Sequence, residues 1–202
     1  MEETKKKGLN TSSNSYTIIY SVVIVVLVAF LLAFVSSTLK PQQDENVALD
    51  KKKQILAALN IRDIDGAEAT EQYNKVVTAD MIINRDGTTI AKGEQGGTKT
   101  GFLCNSASTK EGKLALYVCN VDGQTKYVIP VYGMGLWGGI SGYIALNADK
   151  QTVYGAYFNH EDETAGLCAE IKDSRAWQAK FKGKQLFAAG KEGVALSVVK
   201  KN

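Results

Sequence analysis

The chain has 202 residues, with 24 Lys and Arg against 21 Asp and Glu, which gives a formal net charge of +3. Apolar residue types make up 45% of it, a globular composition that excludes a wholly disordered, collagen-like or coiled-coil protein. The nearly balanced charge offers no basic surface for a polyanion, so we expect no nucleic-acid partner. Because many apolar residues lie in one N-terminal run, roughly 160 residues remain for a single domain.

The first predicted element is a transmembrane helix. Residues 17–39 read TIIYSVVIVVLVAFLLAFVSSTL and contain no charged residue, Gly or Pro. At a rise of about 1.5 Å per residue, this run crosses a hydrocarbon core about 30 Å thick. The alternatives are a buried core helix and a cleaved signal peptide, which would have a shorter apolar stretch and an A-x-A-like exit. We therefore predict a tail over 1–15, an anchor helix over 16–39 and one domain over 40–202.

Lysines on the two sides of this span predict its orientation. Residues 5–7 are all lysines, whereas Lys40 is followed by Asp44 and Glu45. An excess of lysines before the span predicts a cytoplasmic N-terminus and a domain outside the cytoplasm. The lysines at 51–53 weaken this asymmetry.

The segment after the anchor has helical patterns. Pro41 is predicted to end the anchor helix. Residues 42–60 have apolar residues at mostly helical spacing, which predicts a second, amphipathic helix ending near Asn60. Asp65 to Val76 is predicted to form a short helix opened by Asp65.

From about Met81 onward the pattern changes to short alternating or β-branched stretches, which predict strands. Asp86-Gly87 and Asp122-Gly123 lie between apolar flanks and predict two hairpins. Further along, the pattern predicts a strand pair over 142–160, a helix over 169–183 and a final strand over 193–201. The predicted fold class is α+β: one N-terminal transmembrane helix, then an antiparallel sheet with flanking helices.

The cysteines and the single histidine show no catalytic or metal-binding pattern. Cys104, Cys119 and Cys168 lack metal-ligand spacing, so we expect no metal site. In an oxidising compartment Cys104 and Cys119 are candidates for a disulfide, and the favoured alternative is that all three are small buried apolar residues. His160 has no nucleophile elbow or base-orienting pattern with it, so we expect no catalytic triad.

Two segments have sequences that are unusual for a sheet with a purely structural role. Residues 132–139, YGMGLWGG, place four glycines around Trp137, which lets a flat ligand approach the main chain. A Gly-rich connection whose Trp packs on the core is an equal alternative. Residues 159–168, NHEDETAGLC, join an acidic cluster to Thr164 and a Gly turn, where an anionic or carbonyl group can be held. A solvated loop with Thr164 as a helix cap is the favoured alternative there.

The two motifs, the anchor helix and the tail KGKQLF…ALSVVKK resemble those of NqrC, a component of the bacterial Na⁺-translocating NADH:quinone oxidoreductases. The resemblance runs from the anchor helix to the last residue. The chain is also similar to the related RnfG component of the Rnf electron-transport complex, and the block Gly135 to Gly138 favours the first family.

The resemblance implies a flavoprotein component of a membrane-bound translocase. It implies FMN on a domain at the periplasmic side of the inner membrane, electron transport from NADH towards ubiquinone, and sodium transport with the other subunits of the complex. In the family the FMN phosphate is joined to a Thr of an S-G-A-T motif. That Thr is absent here, where the sequence stops at Lys201-Asn202 and Gly96-Gly97-Thr98 is the nearest similar run. We expect a truncated sequence; a protein without covalent FMN is the alternative.

The resemblance also implies the cofactor-binding residues. Trp137 and Gly138 are implied to line the flavin pocket, and four further residues to contact the ring system: Glu163, Thr164, Gly166 and Leu167. Indole and Leu side chains suit an isoalloxazine face, and Thr and backbone amides suit its polar edge. The acidic cluster of Glu161, Asp162 and Glu163 is a candidate for disfavouring the anionic flavin hydroquinone by like-charge repulsion, and a solvated face is the favoured alternative for Glu161 and Asp162. Cys168 replaces a Gly that is usual in the family.

A hypothesis from another class is a flavin-free, membrane-anchored scaffold domain, which the missing attachment Thr keeps open. Under either hypothesis the middle of the span over 17–39 has no charged or strongly polar side chain. Because ion paths in membranes are built from such groups, we expect sodium to cross through partner subunits.

Overall fold

The computed structural model describes residues 13–135, 137–161, 170–187 and 193–194. The chain divides into two compact units, Met1–Val47 and Ala48–Asn202, which we describe separately. Helix α1, Asn14–Ala58, begins in the first unit and ends in the second.

In the first unit, α1 is apolar and its side chains are exposed. Its most apolar 18-residue window has a mean hydropathy of 3.2, and none of that window is buried. By length and composition it is able to cross a membrane, and it is the one helix in the described part of the chain of which this is true. The exposed apolar surface therefore agrees with the predicted transmembrane helix.

Pro41 lies inside α1, so the prediction that it ends the helix is wrong. Proline removes one backbone N–H, and the turns on either side supply other contacts. The Thr38 hydroxyl donates to the Phe34 carbonyl at 2.9 Å, and Lys40 Nζ lies 3.5 Å from Asp44 Oδ1 across the proline. The predicted second helix is therefore the C-terminal part of α1, which ends at Ala58.

The second unit is built on a six-stranded antiparallel sheet in the order β2-β1-β3-β4-β5-β6. The strands are β1 Val77–Ile83, β2 Thr89–Lys92, β3 Leu114–Val121, β4 Gln124–Met134, β5 Gly139–Leu146 and β6 Val153–His160. The helices are α2 Gly66–Val76, α3 Ser106–Lys110, α4 Glu170–Asp173 and α5 Arg175–Ala179, with a 3₁₀ turn at Gly101–Leu103. The predicted α+β class is confirmed.

Both predicted Asp-Gly hairpins are present. Pairing of β3 with β4 continues to Val121 and Gln124, so Asp122 and Gly123 alone make the turn. Their φ angles of 50° and 76° lie in the left-handed region that a two-residue type I′ turn requires. The first strand begins at Val77, directly after α2 and earlier than the predicted Met81, and its first two residues, Val77 and Thr78, are β-branched.

The main core lies where α2 and the end of α1 pack on the sheet. Ile55 and Leu56 of α1, Tyr73 of α2, and Tyr117 and Val128 of the sheet are all fully buried. The burial of these side chains holds the short helix α2 in place, since isolated helices of its length are marginal in water.

A second core cluster packs α5 against β6. The ring centroids of Phe158 and Trp177 are 5.6 Å apart, and those of Trp177 and Phe181 are 5.1 Å apart. The predicted helix over 169–183 is interrupted at Ser174, whose hydroxyl accepts from the Trp177 backbone N–H at 3.2 Å and opens α5. The predicted final strand over 193–201 lies outside the described residues except for 193–194.

Candidate functional site

The Gly-rich motif forms the tight connection between β4 and β5. Met134, the last residue of β4, pairs with Gly139, the first residue of β5. The Gly135 N–H donates to the Gly138 carbonyl at 2.8 Å, which closes the turn. Trp137 therefore lies at the tip of a hairpin, beside the buried Gly138.

This hairpin end presents large apolar side chains to solvent. The exposed fraction is 84% for Met134, 67% for Trp137 and 38% for Tyr132. A Trp that filled a core would be mostly buried, so the alternative of a core Trp is wrong. Exposed apolar side chains grouped at one end of a sheet are typical of a binding surface.

The acidic motif reaches the same end of the sheet through β6. Ile140 pairs with His160, and beyond this pair the Glu161 N–H donates to the Gly139 carbonyl at 3.0 Å. The Gly139 N–H donates to Glu161 Oε2 at 3.2 Å. The structure thus joins the start of the second motif directly to the end of the first.

The predicted site residues divide into two groups. Trp137 and Gly138 are described and lie on the β4–β5 turn. Glu163, Thr164, Gly166 and Leu167 lie outside the described residues, as do Asp162, Cys168 and Leu136. The chain enters that undescribed segment directly after Glu161 and leaves it directly before Glu170, the first residue of α4.

Helix α4, which follows the undescribed segment in the chain, is held by Gln178, which is fully buried. Its Nε2 donates to the Ile171 and Lys172 carbonyls of α4 at 2.9 and 3.1 Å. Its Oε1 accepts from Arg62 Nη2 at 2.8 Å, and the same nitrogen donates to the Ala156 carbonyl of β6 at 3.0 Å. These bonds fix α4 to β6.

Cys104 and Cys119 are both buried and are not joined, so the disulfide alternative is wrong. Cys119 pairs in the sheet with Val77 and Lys126. Burial raises the pKa of the Cys119 thiol to about 12, and burial also raises the pKa of Cys104. Thiols in this state behave as small apolar core residues rather than as nucleophiles. In the described ranges no three His, Cys, Asp or Glu residues are grouped as metal ligands.

The residues at the hairpin end fit a flat aromatic cofactor such as a flavin. The indole of Trp137 and the side chain of Met134 offer apolar contact, and Gly138 adds no side chain beside them. Sequence reasoning missed the hydrogen bond between Glu161 and Gly139. The register that brings Glu161 to Gly139 follows from counting outward from the β5–β6 pairing, and no local pattern indicates it.

The fold defines a class of protein: an α+β domain on an antiparallel sheet, preceded by a helix able to span a membrane. No family model matches the chain. It is 33% identical over 177 residues to NqrC of the Na⁺-translocating NADH-quinone reductase of Haemophilus ducreyi, over 80% of this chain and 68% of that one. NqrC of Pseudomonas aeruginosa is 28% identical over 95% of this chain and 79% of its own. The chain therefore belongs to the NqrC family of the Na⁺-translocating NADH-quinone reductases.

Solved structures agree with this assignment. NqrC from Parabacteroides distasonis is similar with a TM-score of 0.72 and 36% identity, over 80% of this chain and 77% of that one. NqrC of Shewanella oneidensis shares the fold, with a TM-score of 0.59 at 24% identity. The match to NqrC of Vibrio campbellii, at 27% identity, spans only 64% of that relative's length.

Proposed function

We propose that this chain is an electron-transfer component of a Na⁺-translocating NADH:quinone oxidoreductase and that it binds FMN at the β4–β5 hairpin end. The observation that carries the proposal is the meeting of the two motifs through the bonds between Gly139 and Glu161. Family membership adds support, because the relatives are named as subunits of such a reductase. The remaining subunits of that complex are the proposed partners.

The roles of the residues follow from their chemistry. Trp137 and Leu167 supply apolar contact to the ring, Gly138 allows its close approach to the main chain, and Glu163, Thr164 and Gly166 supply polar and backbone contacts. Bound FMN would supply the capacity to take up and release electrons. The protein's own task is to hold that ring in a rigid and mostly apolar setting, for which no general acid or base is needed.

The membrane part of the proposal rests on α1. The apolar run over 17–39 anchors the chain, and the lysines at 5–7 favour a cytoplasmic N-terminus with the domain on the periplasmic side. Since the run contains no charged side chain, the sodium path belongs to the partner subunits.

The test is FMN binding by the full chain in detergent micelles, followed through quenching of flavin fluorescence. We expect Trp137→Ala to weaken FMN binding about tenfold, since loss of one aromatic stacking contact is worth about 1 kcal/mol or more. Ile90→Ala is the matched control, because Ile90 is also an exposed apolar residue but lies on the edge strand β2. Equal FMN affinity for both variants would remove Trp137 from the site, and no binding by the unaltered chain would favour the scaffold alternative.

A further inference from the structure

Glu161 contacts one residue, Gly139, in two ways. Its backbone N–H donates to the Gly139 carbonyl at 3.0 Å, and its carboxylate Oε2 accepts from the Gly139 N–H at 3.2 Å. In an antiparallel ladder, a residue whose N–H and carbonyl both face the neighbouring strand exchanges two backbone bonds with it. Strand β6 ends at His160, so the carboxylate of Glu161 takes the place of a backbone carbonyl in this last pair.

The space for this carboxylate exists because residue 139 is a glycine. A Cβ on Gly139 would lie 2.8 Å from Oε2 and 3.0 Å from the carboxyl carbon of Glu161. A side chain at residue 139 would therefore displace the carboxylate end of the Glu161 side chain. The second glycine of Gly138-Gly139 thus leaves room for the Glu161 carboxylate at the main chain.

The bond acts on the turn that carries Trp137. Gly139 is the first residue of β5 and pairs with Met134 on its other side, so it is the point where the hairpin end is attached to both β4 and β6. Without the carboxylate, the Gly139 N–H loses its partner and the turn over 135–138 loses one of its attachments to β6.

We infer that Glu161 is a positioning residue, which fixes the Trp137-Gly138 turn for the flavin and places a negative charge beside it. The inference rests on the proposed function. Positioning of the turn and the negative charge are two separate effects, and different substitutions isolate them. Glu161→Gln keeps a side-chain oxygen that accepts from Gly139 but removes the charge, whereas Glu161→Ala removes both.

The first measurement is FMN binding and the flavin midpoint potential, with the full chain in micelles. We expect Glu161→Ala to weaken FMN binding about tenfold, the ratio that corresponds to loss of one charge-assisted hydrogen bond. Glu161→Gln should stay within about threefold of the unaltered chain, because the positioning bond remains. Both variants should shift the midpoint potential in the positive direction, because a nearby negative charge opposes reduction of the flavin. Glu111→Ala, which removes an exposed carboxylate on the α3 side, is the control.

The second measurement needs no flavin. The sequence contains two Gly-Gly pairs, Gly96-Gly97 and Gly138-Gly139, so labelling with ¹³C′- and ¹⁵N-glycine selects the amides of Gly97 and Gly139 alone in a carbonyl-filtered NMR spectrum. Glu161→Ala should move the Gly139 amide resonance and leave that of Gly97 in place. Glu161→Gln should move the Gly139 resonance less.

The outcomes separate the two proposals. An unmoved Gly139 amide in Glu161→Ala overturns the positioning role. So does FMN binding that is equally strong in Glu161→Ala, Glu161→Gln and Glu111→Ala, although FMN binding by the unaltered chain would then still support the proposed function. If the unaltered chain binds no FMN, the proposed function fails and the flavin-directed role of Glu161 fails with it, whatever the Gly139 resonance shows.

Discussion

Asp80 is a fully buried carboxylate in β1. Its Oδ2 accepts from the Thr100 and Phe102 N–H groups at 3.0 and 3.1 Å. Its Oδ1 is packed against the main chain of Gly93 and Gly97, where a Cβ would overlap the oxygen. The carboxylate therefore organises the loop between β2 and the 3₁₀ turn, and the two glycines are required because they leave it room.

This packing predicts that Gly93→Ala destabilises the domain. The Gly93 N–H is bonded to the Asp80 carbonyl at 2.7 Å, so the main chain has little freedom to move away from the new methyl group. We expect the free energy of unfolding to fall by about 2 kcal/mol, which is typical when a group is forced into a packed interior. Urea unfolding of the full chain in micelles, followed by circular dichroism, measures it.

Gly133→Ala is the matched control, since no atom lies within 4 Å of the Cβ position there. We expect it to change the free energy of unfolding by less than about 0.5 kcal/mol. The double variant Asp80→Ala with Gly93→Ala should lose less stability than the sum of the two single variants, because the oxygen that the new methyl group overlaps is gone. Equal stability of Gly93→Ala and Gly133→Ala would contradict this account of the loop.

Among the elements, α2 depends most clearly on a single cap. Asp65 Oδ1 accepts from the Glu68 backbone N–H at 2.9 Å. The helix has only 11 residues, and Ala69, Tyr73 and Val76 supply its buried face. Because short helices are marginal without such contacts, the cap affects the stability of the whole domain.

We expect Asp65→Ala to destabilise the domain by about 1 kcal/mol, through loss of the cap to the Glu68 N–H. Asp65→Ser should retain most of the stability, since a serine hydroxyl caps the same N–H. Comparison of the unfolding midpoints of the two variants under the same conditions tests the role of the cap. A serine variant as unstable as the alanine variant would mean that the charge of Asp65, and not the cap, supports α2.

The observed helices and turns show which features of the fold a single sequence predicts. Both Asp-Gly hairpins and the α2 cap are predictable because each depends on a few adjacent residues with a fixed backbone requirement. Pro41 was predicted wrongly as a helix end, because its local cost is outweighed by the helix formers around it. The break at Ser174 was missed because the helical pattern continues on both sides of it.

The candidate site likewise contains residues that the sequence predicts and a contact that it does not predict. Trp137 and Gly138 follow from a local motif, and the structure puts both on one turn. The bond between Gly139 and Glu161 joins residues 22 apart, and it depends on the register of two strands. Strand register is a property of the assembled sheet, so a single sequence without its pairing partners does not show it.

For the whole molecule, one of the lysines that follow the span also has a role in the folded domain. Lys51 was counted among the lysines that follow the span, yet its Nζ donates to the Phe102 and Cys104 carbonyls within the domain. Burial in that position lowers the pKa of Lys51. Lys51 therefore has a structural role in the folded domain, and the lysines at 5–7 remain the basis for predicting a cytoplasmic N-terminus.

This orientation predicts the labelling of single cysteines in spheroplasts. Ser106 is exposed at the start of α3, and Thr11 lies before the anchor in the sequence. In a Cys168→Ser background, where the remaining Cys104 and Cys119 are buried, we expect Ser106→Cys to react with a membrane-impermeant maleimide in intact spheroplasts. Thr11→Cys should react only after lysis, because the span separates the two positions.

Lysed samples of both variants provide the control, since each cysteine must react once the membrane is open. Reaction of Thr11→Cys but not Ser106→Cys in intact spheroplasts would reverse the orientation. It would place the Trp137 hairpin on the cytoplasmic side, where the proposed flavin would receive electrons from the NADH side directly. Reaction of Ser106→Cys alone in intact spheroplasts would support the predicted orientation and place the Trp137 hairpin outside the cytoplasm.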